Sequence, residues 1–146
     1  MIGWIQALLS NEKEKQAVPP EDRVRVATCV LLMEAAQVDE YLAPVELEHI
    51  TAALKSRFAL SEQEVAELIQ VAAEARADQS GLWHFTHEIN EICTVPDKIA
   101  VMQEVWRVLF ADGVLSGHED HLAHKIAHLL NLNHPQFIQA KRRARH

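Results

Sequence analysis

Four acidic residues, Asp39, Glu46, Asp112 and Glu119, stand where two loops run into helical segments, and their chemistry suits a hard cation. Ca²⁺ or Mg²⁺ takes several oxygen ligands, which carboxylates and loop carbonyls supply. The Asp and Glu occur as two similar pairs, so a fold that joins the two loops would gather two Asp and two Glu around one ion. The spacing is not that of an EF-hand, whose ligands come from a single calcium loop. A second reading stays open. Ser116-Gly117-His118-Glu119 fits a capping box, and a carboxylate at a helix N-terminus is favoured by the helix dipole. Asp112-Gly113 is an ordinary loop signal. Glu46 resists that account, because Ala43 has no side-chain acceptor with which to cap a helix.

Histidines suggest a second chemistry. His118, His121, His124 and His128 crowd one segment, and imidazoles beside carboxylates are zinc ligands. At about 100° per residue, His121, His124 and His128 share one face, with Leu122, Ile126, Leu129 and Leu130 opposite. The histidine stripe is therefore expected to face solvent, and neither HExxH nor a cysteine ligand accompanies it. His84 and His87 lie on a separate segment. No Gly-rich phosphate loop, no GxSxG and no cysteine with an activating partner is present, so the chain reads as a binding module rather than an enzyme. Cys29 and Cys93 sit far apart in apolar helical runs and are expected to be buried, reduced thiols.

The elements that position these residues are helical. The 146 residues are 49% hydrophobic and 24% charged, an ordinary globular composition with enough chain for one core. Only 4 Gly and 5 Pro punctuate it, too few turn residues for a sandwich of short strands. Val24, Ala27, Val30, Leu31, Ala35 and Val38 recur at helical spacing after Pro19-Pro20-Glu21-Asp22 and predict a central apolar helix. Pro44 suits the first position of the next helix, with Leu47, Ile50, Leu54 and Phe58 on one stripe. Ser61-Glu62-Gln63-Glu64 is a capping box opening a helix to about Ala77, and Asp78-Gln79-Ser80-Gly81 breaks it. Further helices are expected over Leu82 to Cys93, from Thr94 through Phe110, from Ser116 to near Asn131, and from Pro135 onward. No segment alternates apolar and polar residues, so no sheet is expected.

The chain also repeats itself weakly. Val38-Asp39 corresponds to Ala111-Asp112, Leu42 to Leu115, and Glu46 to Glu119. Each unit is an apolar helix, an Asp-bearing loop and a helix with Glu in its first turn. The fold class read from this pattern is all-α: a single-domain bundle of about seven helices with a pseudo-twofold internal repeat. Residues 1–20 read as a short N-terminal helix and linker, and residues 21–146 as the helical domain. The start, Met1-Ile-Gly-Trp-Ile-Gln-Ala-Leu-Leu-Ser10, lacks a basic flank and a long apolar run, which argues against a signal peptide or membrane span. Packing on the domain and docking on a membrane surface both stay open for it.

Val105-Trp-Arg-Val-Leu-Phe-Ala-Asp-Gly-Val-Leu-Ser-Gly-His-Glu119 resembles the TerB-like family pattern of an apolar helix, Ala-Asp-Gly and a following Glu. Ala35-Ala-Gln-Val-Asp-Glu-Tyr-Leu-Ala-Pro-Val-Glu46 resembles the same element, with Glu40 where that family usually has Gly. The resemblance covers roughly residues 22 to 140. It implies an all-helical fold and a link to bacterial tellurite-resistance and stress-response systems, in which some relatives bind divalent metal through acidic loop residues or act near membrane partners. The expectation is a cytoplasmic, non-enzymatic stress-response module with a protein partner, one associated with a membrane included, and with a Ca²⁺ or Mg²⁺ site at Asp39, Glu46, Asp112 and Glu119. The competing expectation is a structural protein–protein adaptor without metal. Net charge of −7 argues against nucleic acid as partner. Lys141, Arg142, Arg143 and Arg145 form the one basic cluster, and cations there complement the negative end of a helix.

Overall fold

A computed structural model of the chain describes residues 18–36, 43–79, 81–111 and 117–145. Seven helices and no strand occur among them, as the apolar periodicity predicts. Helix α1 (Pro20–Ala35) begins at Pro20, whose missing amide costs nothing in the first turn, with Glu21 and Asp22 beside the positive helix end. It packs against α2 (Pro44–Phe58), α3 (Glu62–Asp78), α4 (Trp83–Ile92), α5 (Val95–Ala111) and α6 (Gly117–Leu129). Ten of its 16 residues are buried, so it is apolar nearly all round rather than along one stripe. This is the central helix expected from Val24 to Ala35.

Capping fixes several of the remaining starts. Ser61 Oγ accepts from the Glu64 amide while the Glu64 carboxylate accepts from the Ser61 amide, the box read in the sequence. Thr94 and Asp97 make the same reciprocal pair at the head of α5. A third box, Asn133 with Gln136, opens α7 (His134–Ala144). Helix α7 therefore starts one residue before the expected Pro135, which falls at the second helical position. Helix α6 ends at Leu129, and the chain turns through Asn131 at φ 60°, short of the end expected near Asn131 itself.

The densest packing joins α5 to α7. Trp106 is fully buried there, with its ring centroid 5.3 Å from both Phe110 and Phe137. Lys141 Nζ lies 4.9 Å from the Trp106 ring and the Arg145 guanidinium 5.3 Å from Phe110, so half of the basic cluster caps the aromatic core. Arg142 and Arg143 are exposed. Ion pairs stitch the periphery, Arg23 to Glu88 between α1 and α4 and Arg76 to Glu34 between α3 and α1 at 2.9 Å. No helix among the described residues is long and apolar enough to cross a membrane. Both cysteines are free thiols. Cys29 is buried as expected, but Cys93 follows the last residue of α4 and is only half-buried. Of the expected repeat, one correspondence is visible: Glu46 and Glu119 are each the third residue of their helix. A pseudo-twofold axis is not established by the described residues.

Candidate functional site

Glu46 is the acidic residue whose surroundings are most informative. Its helix starts at Pro44 after Ala43, which is extended and makes no side-chain capping bond. In three other helices the third position is occupied by a group that reciprocates its cap: Glu64 with Ser61, Asp97 with Thr94, Gln136 with Asn133. Those bonds are the main reason the Glu64 carboxyl is held below its ordinary range. Glu46 has no such partner. Its Oε2 is shielded from solvent and accepts no hydrogen bond. A buried acceptor left unpaired costs about 1–3 kcal/mol, more for a charged group. Reciprocal capping accounts for Glu64 and does not account for Glu46, whose first-turn place is favoured by the helix dipole alone.

Glu119 occupies the matching position in α6 and is 7% exposed. Its neighbour Asp120 is half-exposed and faces His124, with Oδ2 3.6 Å from Nε2. Asp39, Asp112 and the proposed cap Ser116 lie outside the described residues. Of the four carboxylates, the structure thus places two, both at the third position of a helix; Glu119 is buried, and Glu46 is partly exposed with its Oε2 shielded. Among the described residues, no three His, Cys, Asp or Glu side chains gather as a metal ion requires.

That finding also bears on the histidines. His121, His124 and His128 are exposed, as their phase on α6 predicts. His124 stacks on Phe137 at 4.4 Å, and with His128 and His134 it borders a small depression of about 190 Å³. His84 and His87 do not join this stripe as ligands. His87 stacks on the exposed ring of Trp83 at 4.6 Å and faces Glu91 at 3.5 Å, and His84 Nε2 lies 4.0 Å from Glu88.

One buried carboxylate escaped the sequence reading. Glu104, 3% exposed, accepts from Arg107 Nη1 at 2.6 and 3.2 Å, and the same nitrogen donates to Ser56 Oγ at 2.9 Å. Burial pushes the Glu104 carboxyl above its ordinary range, against the opposing pull of Arg107, Ser56 and Arg57. The group ties α5 to α2 across their interface. In sequence, Glu104 and Arg107 look like a surface i,i+3 pair, and only the apolar run around them hints that the face is covered.

Comparison with known proteins adds one finding. The family model described as Tellurite resistance protein TerB matches residues 25–142. No curated protein and no solved structure matches the chain.

Proposed function

The chain belongs to the tellurite resistance protein TerB family, and on that premise we propose that it is a non-enzymatic binding module that takes a hard divalent cation, Ca²⁺ or Mg²⁺. Glu46 and Glu119, with Asp39 and Asp112 from the loops before their helices, would supply the oxygen ligands. The observation that carries this reading is the solvent-shielded Oε2 of Glu46, which accepts no hydrogen bond. A cation bound there gives that oxygen the partner it lacks, and ties the start of α2 to the loops. In this reading the module is cytoplasmic, serves a stress response and signals cation occupancy to a protein partner, membrane-associated partners included. Val45 and Leu47, exposed on either side of Glu46, favour a partner surface at the same helix start. Without cation binding, that surface alone describes a structural adaptor.

Thermal melting with and without millimolar Ca²⁺ or Mg²⁺ tests the proposal. A ligand that binds only the folded state stabilises it by about 2.7 kcal/mol at a hundredfold excess over its Kd. Wild type is expected to melt higher with cation. Glu46→Gln is expected to lose that rise while its cation-free Tm stays level or increases, because the shielded oxygen has no hydrogen bond within the protein to lose. Glu119→Gln is expected to lose the rise as well, with a metal-free change of about 1 kcal/mol or less. A wild-type Tm indifferent to both cations leaves the adaptor and removes the cation site.

A further inference from the structure

The start of α1, the end of α2, the end of α4 and the start of α5 converge on an open groove of about 430 Å³. That volume lies in the range of small-molecule sites, roughly 300–1,000 Å³. Its apolar wall is Val24, Phe58 and Ile92, with Pro20 at the edge. Two guanidinium groups border the same space. The Arg25 and Arg57 central carbons lie 5.8 and 5.4 Å from the centre of the Phe58 ring.

Neither arginine is fully engaged. Arg57 Nη2 reaches Asp97 Oδ1 at a long 3.5 Å, and the other oxygen of Asp97 accepts from the Thr94 amide. Arg57 Nε makes no hydrogen bond. Arg25 Nη1 lies 3.3 Å from Asp22 Oδ1, and its Nη2 lies 4.0 Å from Glu21, whose side chain is 83% exposed. A guanidinium carries five N–H donors in a fork matched to carboxylate and phosphate oxygens. Both therefore keep donors beyond those the protein uses. Asp97 and Glu21 lie along the same groove, so an anionic head has to sit on the donors of Arg57 and Arg25 that face away from these two carboxylates.

We propose that this groove binds an amphiphilic anion, with one carboxylate or phosphate head on Arg57 and Arg25 and a short apolar body over Phe58, Val24 and Ile92. The site is separate from the cation reading. Arg57 lies about 16 Å along α2 from Glu46, from the helical rise per residue, and nothing in the groove depends on the acidic loops.

Cys93 lines the groove and reports on it. Cys29 is wholly buried, and burial pushes its thiol far up, so a thiol reagent added to native protein modifies Cys93. The experiment follows the labelling rate of Cys93 at alkaline pH with octanoate, octyl phosphate, octanol, acetate or inorganic phosphate present. Octanoate and octyl phosphate are expected to slow labelling several-fold and saturably. Octanol, acetate and inorganic phosphate are expected to leave it unchanged at the same concentrations. Preference for one of the two amphiphiles identifies the head as carboxylate or phosphate. Arg57→Gln is expected to weaken protection about tenfold, the loss of one charge-assisted contact worth about 1.4 kcal/mol. Arg25→Gln, on a half-exposed side chain, repeats the test should Arg57→Gln fail to fold. Equal protection by octanol, absence of protection by either amphiphile, or wild-type protection in a folded arginine variant overturns the proposal.

Discussion

Replacing Glu104 by Gln should flatten part of the pH dependence of stability. In the folded chain, burial raises the Glu104 carboxyl above its ordinary 4.5, and the attraction of Arg107 only partly opposes it. A raised folded-state pKa means the folded protein holds this proton more tightly than the unfolded chain. The resulting stabilisation is fully present below about 4.5, where both states are protonated, and is lost as pH rises through the folded pKa. Gln holds the neutral shape at every pH. It keeps an acceptor for Arg107 and surrenders an ion pair whose cationic partner is 37% exposed. Solvent screens the Arg107 side of the pair and Gln keeps the buried acceptor, so the neutral-pH loss is expected to be about 1 kcal/mol. Desolvation relief acts in the opposite direction. In a domain of this size 1 kcal/mol moves Tm by about 2–4 °C. Glu104→Ala, which also leaves a cavity and frees Arg107 and Ser56, should cost about 2–3 kcal/mol. Urea denaturation from about pH 4 to about pH 8, starting within the ordinary carboxylate range, gives the comparison. The difference between wild type and Glu104→Gln should shift in favour of Gln as pH rises. A difference that is constant across the range, or one that moves towards wild type, refutes the assignment of Glu104 as a buried, proton-retaining carboxyl.

Three further outcomes follow from the packing. Thr28 is fully buried and its hydroxyl has no hydrogen-bond partner, so Thr28→Val should raise stability by about 1 kcal/mol in urea denaturation; a loss instead would reveal a bonded hydroxyl. Asn133→Ala removes the acceptor for the Gln136 amide and should cost about 1 kcal/mol by thermal melting, with Asn133→Ser recovering most of it. Amide hydrogen exchange should show α2 less protected than α1, because α2 buries three residues where α1 buries ten; equal protection would contradict that ranking.

The fold was legible because its signals are local. Helical periodicity, three reciprocal caps and prolines in first turns all lie within a few residues of the boundaries they set, and the Ser61–Glu64 cap is legible directly in the sequence. Asn133 was passed over because Pro135 looked like a first helical residue, although proline is equally tolerated one position on. The histidine stripe was placed correctly by phase alone. Glu46 stands out in the sequence because Ala43 offers no cap, and in the structure its Oε2 is shielded and accepts no hydrogen bond. Glu104 and the arginine groove were not legible. The burial of Glu104 depends on Ser56 arriving from another helix, and Phe58, Ile92 and Asp97 meet Arg25 only through the tertiary arrangement of four chain ends. Asp39 and Asp112 lie outside the described residues, so their part of the acidic constellation rests on the sequence.

These observations concentrate on α2. Its first turn holds the unpaired Glu46 oxygen, its last turn supplies Arg57 and Phe58 to the groove, and Ser56 ties it to the Glu104–Arg107 pair of α5. Its buried residues are Ile50, Ala53 and Leu54, with Phe58 packed against the core at its end. Each fully buried aliphatic side chain contributes about 1.5–3 kcal/mol, so α2 is held less firmly than α1. A cation at its start or an anion at its end would add a few kcal/mol to an anchorage of similar size, enough to shift how firmly α2 is seated. The same ligand acting on α1 would change little against ten buried residues. Both proposed sites would thus act on an element that modest binding energies can move, and the Ser56–Arg107–Glu104 contacts are what tie that element to α5.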